Sequence, residues 1–189
     1  MKQFNIFLEQ GFLHILDLSG YDHILFLFAI CAIYDLKDKK QILWIISSFT
    51  LAHSISLALS ALKLVVVNTD LVEFLIACTI LFTCLENLFF KHFHRYRIIF
   101  SFLFGLVHGL GFSRLLQELF MGMDFNLINT LLPFNLGLEA GQLVIIIVIL
   151  GLIVFIQKII KLDKKLINYL ISVPAAIQAF IWIIHRWPY

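Results

Sequence analysis

Hydrophobic residues fill long blocks of this chain, and polar residues gather in short stretches between the blocks. The blocks predict six membrane-spanning helices, at 21–36, 42–62, 70–90, 97–113, 131–157 and 166–185. A shorter helix at 4–18 precedes them and is expected on the outer side. The predicted fold class is therefore all-α, a polytopic membrane helical bundle that forms a single domain over residues 1–189.

The composition agrees with an integral membrane protein. Hydrophobic residues make up 61% of the chain and charged residues 14%, and the mean hydropathy is +0.98. The formal net charge of +2 gives no reason to expect a nucleic acid partner. Three cysteines, Cys31, Cys78 and Cys84, match no zinc or disulfide spacing, so we predict that they pack as small apolar side chains.

The basic residues divide unequally when successive loops are placed on alternate sides of the membrane. Ten fall on one side: Lys37, Lys39, Lys40, Lys91, Arg95, Arg97, Lys158, Lys161, Lys164 and Lys165. Four fall on the other: Lys2, Lys63, Arg114 and Arg186. The richer side is predicted to be cytoplasmic. Both termini are then outside, and we expect the periplasmic side of a bacterial inner membrane.

Ionisable residues from three predicted spans fall at one depth. Asp22, His53 and His108 lie 13, 12 and 11 residues from the inner ends of their spans. At about 1.5 Å of rise per residue these separations are roughly 16 to 20 Å. His23 is embedded as well, because only 11 residues separate it from Asp35.

An ionisable side chain inside the membrane costs roughly 2.5 to 3.5 kcal/mol, so several of them are expected to meet at one site. The candidate metal ligands are His14, Asp22, His23, His53, His108 and Glu139. Asp17 is a further candidate, because either it or His14 would close the site from the outer side. Imidazole and carboxylate donors without a thiolate suit divalent nickel, cobalt, zinc or copper better than Cu(I). The expected ligand is a divalent metal ion, with Ni, Co or Zn favoured.

Carboxylates at other depths suggest a pathway on either side of this site. Glu73 and Glu139 come out near 27 Å from the cytoplasmic boundary by the same count and are expected at the outer mouth. Glu86 and Asn87 fall in the inner half, as either a hydrogen-bonded cap or an exit station. Asn135 follows Pro133, where an opened backbone would line a cavity.

Two glycine pairs predict close helix approach near the site. Gly105-x-x-x-Gly109 surrounds His108, and Gly137-x-x-x-Gly141 surrounds Glu139.

Simpler interpretations remain open for the histidines. His53 would also be satisfied by hydrogen bonds to Thr50, Ser54 or Ser56. Asp22 and His23 are adjacent and point about 100° apart on a helix, so one can ligate while the other orients.

Several stretches of the chain resemble the HupE/UreJ family of hydrogenase and urease accessory membrane proteins. They are "GFLHILDLSGYDHILFLF", "FTLAHSISLALS", "VEFLIACTILFTCLEN", "FGLVHGLGF" and "FNLGLEAGQ". The resemblance implies a small permease for nickel, or for cobalt, that supplies metalloenzymes. The matching positions are His14, Asp22, His23, His53, Glu73, Glu86, Asn87, His108, Asn135, Glu139 and Gln142. With Asp17, those outside the ligand set are the candidate pathway residues.

The favoured hypothesis is a permease for divalent transition metals, with the metal ion as substrate and a site open to the outer side. No P-loop is present, so uptake would be driven by a gradient or by another subunit. The alternative is a zinc-dependent intramembrane hydrolase acting on a lipid or lipid-linked substrate, with Ser54 and Asp22 as candidate catalytic residues. A metal sensor or accessory subunit without turnover is a third possibility.

Overall fold

The computed structural model describes residues 2–17, 20–112 and 127–188. Seven α-helices lie within these ranges, and nearly all of the described chain is helical. They are α1 (Lys2–Leu16), α2 (Asp22–Cys31), α3 (Lys39–Ala61), α4 (Thr69–Phe89), α5 (Arg97–Gly111), α6 (Leu132–Phe155) and α7 (Lys164–His185). The all-helical prediction is confirmed.

Four of the described helices are long and apolar enough to cross a membrane. These segments are Leu36–Ala61, Thr69–Phe89, Ile128–Ile160 and Lys164–His185. The protein is therefore an integral membrane protein. Helix α2 is apolar but has only 10 residues, and α5 has 15, whereas a full crossing takes about 20. The count of six spans stays a prediction.

Local sequence accounts for several helix ends. The Asn68 side chain accepts a hydrogen bond from the Asp70 backbone N–H (2.8 Å) and caps the start of α4. Pro133 occupies the first turn of α6, where its missing N–H is not needed. Gly20 lies between the end of α1 and the start of α2, which confirms the break predicted there.

Glycines set the closest helix contacts. Helix α1 packs along α6, and α3 packs along α5. Gly137 lies against the backbone of Leu8, and Gly105 lies against the backbone of Phe49. A methyl group at either position would overlap backbone atoms of the facing helix. The close approach predicted from both glycine pairs is confirmed, and the tertiary structure identifies α1 and α3 as the partners.

Helix α1 runs alongside the first part of α6 in the same direction. Gly11 meets Phe134, and Ile15 meets Gly141 further along. The residues at the C-terminal end of α1 are therefore carried into the bundle, where Ile15 is 1% exposed.

The core of the bundle is mostly aliphatic and aromatic and surrounds α2. Cys31 and Cys84 are buried in it as free thiols, and Cys78 is half-buried. The prediction that the cysteines pack as small apolar side chains is confirmed for the two buried ones.

A polar network near the cytoplasmic end predicted from the sequence ties four helices together. Arg97 at the start of α5 pairs with Glu86 of α4 (Nε to Oε1, 3.0 Å), and both side chains are buried. Arg97 also donates to the Asn87 side-chain oxygen. Asn87 in turn donates to the Ala29 carbonyl of α2 (2.7 Å) and to Ser172 Oγ of α7 (3.0 Å). Arg97, counted above with the cytoplasmic basic residues, is thus an internal group.

Gly137→Ala should separate α1 from α6 and lower the stability of the folded protein by roughly 1 to 3 kcal/mol, as overpacking does. Gly151→Ala is the matched control on the same helix, because a methyl group there meets no atom within 4 Å. Thermal unfolding in detergent measures both. Equal melting temperatures for the two variants would contradict this account of the α1 contact.

Candidate metal centre

Three histidines from three helices meet inside the bundle. His14 of α1, His23 of α2 and His53 of α3 each offer a ring nitrogen, and these nitrogens lie within 4.8 Å of one another. His53 is fully buried, His23 is 7% exposed and His14 is half-buried. We call this group the histidine cluster.

The cluster nitrogens have no hydrogen-bond partner among the described residues. The atoms are Nε2 of His14, His23 and His53, and each is buried. A buried polar atom without a partner costs roughly 1 to 3 kcal/mol. Such a cost at three converging atoms is what a ligand site leaves behind when the ligand is not counted. Neutral imidazole nitrogens are common ligands of nickel, cobalt and zinc, so the residues fit a divalent transition metal.

The other ring nitrogen of His23 is held by the preceding residue. Asp22 Oδ1 lies 3.0 Å from His23 Nδ1 and also accepts the His23 backbone N–H at 2.8 Å. With Nδ1–H donating to the carboxylate, the lone pair of His23 is on Nε2, which belongs to the cluster. A carboxylate behind a ligating imidazole is a frequent arrangement around bound metals.

Asn135 plays the same part behind His53. Its Oδ1 lies 3.4 Å from His53 Nδ1, and its Nδ2 donates to the Leu131 carbonyl (2.8 Å). Because the amide nitrogen is engaged elsewhere, the oxygen faces the ring and favours a proton on Nδ1. The lone pair of His53 is then on Nε2 as well.

The hydroxyls that the sequence offered as partners of His53 are bonded elsewhere. Thr50 donates to the Gln142 side-chain oxygen (2.9 Å), and Ser54 donates to the Thr50 carbonyl (2.8 Å). Ser56 donates to the backbone carbonyl of His53 and not to its ring (3.1 Å).

A fourth imidazole lies beside the cluster. The ring of His108 on α5 meets the ring of His23 edge-on at 5.1 Å between centroids. Thr79 gives its hydroxyl hydrogen to the Ile76 carbonyl (2.7 Å), so its oxygen accepts from His108 Nε2 (3.0 Å). The lone pair of His108 is therefore on Nδ1, which is buried and without a partner among the described residues.

A cavity of about 210 Å³ adjoins the histidines, and we call it the histidine cavity. Asp22, His14, His23 and His108 line its deep part, and Glu73 and Arg186 line the other end. Glu73 is exposed and lies 3.7 Å from Arg186. Asp17 is exposed just after α1, where its backbone N–H donates to the His14 carbonyl (3.3 Å), and it is not in the group of converging ligand atoms.

Glu139 lies in a different cavity, of about 340 Å³, between α3 and α6. Its carboxylate accepts a hydrogen bond from Ser47 (2.5 Å), and Ser54, Thr50 and Asn135 line the same space. Ser47 is six residues, about 9 Å, nearer the Lys39 end of α3 than His53. Glu139 is thus at the level of Ser47 and not at the outer mouth that the residue count suggested. That count started from Lys158, which belongs to a helical stretch of 33 residues, longer than a membrane is thick.

The comparisons with known proteins come at this point. The sequence profile described as HupE / UreJ protein matches residues 1–186. The chain belongs to the HupE/UreJ family. No curated protein and no solved structure matches it. Family membership together with the histidine cluster implies a role in metal transport or in metal supply as an accessory protein.

Two residues of the site were not among the sequence candidates. Thr79 orients His108, and Arg186 lines the mouth of the histidine cavity. A buried threonine carries no distinctive sequence signal. Arg186 follows a long apolar helix and resembles an ordinary interfacial anchor until α2 and α4 are placed beside it.

His53→Ala should weaken binding of Ni²⁺ or Zn²⁺ to the purified protein on the order of 100-fold, because one of three converging nitrogens is lost. His185→Ala is the control, since His185 is exposed at the end of α7. Metal content after equilibrium dialysis at fixed free metal is the measurement. Identical metal content in both variants would exclude the cluster as the binding site.

Proposed function

We propose that the chain is a membrane permease for divalent transition metals of the nickel and cobalt type, loaded from the outer side. The observation that carries the proposal is the convergence of buried Nε2 atoms from His14, His23 and His53 beside a cavity. An ion entering there exchanges water ligands for imidazoles that are already oriented. His108 supplies a fourth nitrogen at the cavity wall.

A buried polar stripe on α4 supports an onward route toward the cytoplasm. Thr79, Thr83 and Glu86 follow one another at helical spacing, and all three are buried. Thr79 contacts His108 of the site, and Glu86 belongs to the inner network. Transport of an ion from the site would bring it next to a carboxylate at the end of this stripe.

The route is narrow in this conformation. Phe26 and Phe104 line a space of only about 10 Å³ next to Thr83 and Glu86, about the smallest volume that holds one water. Arg97 occupies the Glu86 carboxylate. The geometry fits an outward-facing state in which the inner side is closed, and alternation would require Glu86 and Arg97 to separate.

The arrangement of α1 and α2 supports a broken first crossing. Helix α1 runs parallel to α6 and ends at Leu16, close to His14, and α2 begins again at Asp22 beside His23. The two pieces together are long enough to cross a hydrocarbon layer of about 30 Å. Discontinuous helices that meet at the ion site are typical of secondary transporters.

This topology completes the proposed location. With α1 and α2 as one crossing, the bundle crosses six times, and both termini are on the outer, periplasmic side of a bacterial inner membrane. The lysines at 158–165 then face the cytoplasm, as the positive-inside rule requires. The chain as a whole acts as one transmembrane domain.

A zinc-dependent membrane hydrolase is the second candidate, and the one-sided access to the histidine cavity favours it. Three histidines with an open fourth position are a known catalytic zinc arrangement. Ser54, considered as its nucleophile, lines the second cavity with Glu139 and donates to the Thr50 carbonyl. A hydrolase would therefore rely on metal-bound water, with Asp22 behind His23 as the nearest carboxylate.

Proteoliposomes that contain a metal-sensitive dye test the transport proposal. The parent protein should admit Ni²⁺ or Co²⁺, and His53→Ala and His108→Ala should each lower the initial rate by about tenfold or more, because each removes a nitrogen at the site. His185→Ala should behave like the parent.

The two candidates give different results in that assay. A parent protein that holds one zinc ion firmly and shows no flux of any tested metal supports the hydrolase. Flux that is the same in the parent and in folded His53→Ala rejects the permease mechanism.

A further inference from the structure

Arg186 is a cation at the mouth of a cavity proposed to admit cations. Its guanidinium lies 4.0 Å from Asp22 Oδ2 and 3.7 Å from Glu73 Oε2. It also lies over the ring of Trp182, 4.8 Å from the centroid, which holds the plane of the side chain. A bare divalent ion that passes this point meets a like charge.

Most of the hydrogen-bonding capacity of Arg186 is unused. Guanidinium has five N–H donors in a planar fork. Among the described residues one hydrogen bond is found, from Nη1 to the Glu73 carbonyl (3.4 Å). The distances to the two carboxylates are longer than hydrogen bonds. An arginine held on an aromatic ring with free donors is well suited to bind a carboxylate from outside the chain.

The cavity places such a carboxylate next to the histidines. Arg186 and His14, His23 and His108 all line the same space of about 210 Å³. This volume accepts a metal ion together with ligands of its own. Arg186 determines the charge that those ligands should carry.

We infer that the metal ion enters the histidine cavity as a chelate whose ligand carries a carboxylate, and that this carboxylate binds Arg186 while imidazoles of the chain bind the metal. The inference rests on the proposed metal site and adds the class of substrate. Asp22 and Glu73 then keep Arg186 at the mouth until a carboxylate replaces them as its partner.

L-Histidine and histamine are a matched pair of probes, because both chelate nickel through an imidazole and an amine and only L-histidine has a carboxylate. Purified protein is dialysed against labelled Ni²⁺ with either labelled ligand, and also against Ni²⁺ alone. The parent should retain L-histidine together with nickel in equal amounts, and should retain little histamine.

Arg186→Gln should lower the retention of L-histidine by about tenfold or more, as expected for the loss of a charge-assisted hydrogen bond. It should still bind Ni²⁺ alone at least as well as the parent, which also shows that the variant is folded. Arg95→Gln is the control, because Arg95 is exposed and lies over Tyr96. Arg186→Lys, which keeps the charge and loses the fork, should retain an intermediate amount.

The outcomes separate this inference from the proposed function. If L-histidine removes nickel from the parent and is not retained, the chelate inference fails and the metal site stands. Equal retention in Arg186→Gln, or retention of L-histidine without nickel, also overturns it. If no nickel binds in any form, the proposed function itself fails.

Discussion

Lipid offers no hydrogen bonds, so each polar group that this chain carries into the membrane needs a partner from the chain itself or from a ligand. Most of the groups found inside the bundle have one. Glu86 pairs with Arg97, Glu139 accepts from Ser47, and Asn87 bonds to α2 and α7. The imidazole nitrogens around the histidine cavity are the exception, and they lie together. Their shared lack of a partner is the physical reason for assigning a metal to this place.

The partners behind the histidines decide which nitrogen each ring presents. Asp22 and Asn135 occupy the Nδ1 side of His23 and His53, and Thr79 occupies the Nε2 side of His108. Each partner leaves a lone pair at the site without using a charged group of the bundle for ligation. The rings are thus oriented before any ion arrives, which limits the entropy lost on binding.

Helix packing makes this convergence possible. Glycines let α1 lie directly on α6 and α5 lie directly on α3, so His14 and His108 approach His53 from opposite sides. The inner network of Glu86, Asn87 and Arg97 ties α2, α4, α5 and α7 at the other end. The bundle is therefore open around the histidines and closed by an ion pair below them, which are the two ends that an alternating mechanism needs to move.

The sequence by itself determined the membrane location, the helical class, the break at Gly20 and the close approach of the glycine faces. These follow from hydropathy and from backbone properties that act over a few residues, so neighbours distant in the chain do not alter them. Residue counting also placed His53 and His108 near one level, because both were counted from nearby loops. The same count misplaced Glu139, since its helix is longer than the membrane is thick.

Only the tertiary structure decided which polar groups share a space. It put His14, His23 and His53 together, moved Glu139 to Ser47, turned Arg97 inward to Glu86 and brought Arg186 to the cavity mouth. Those relations depend on which helix faces become neighbours. Side chains from helices far apart in the chain meet through packing, and a one-dimensional pattern of polar and apolar residues does not specify that.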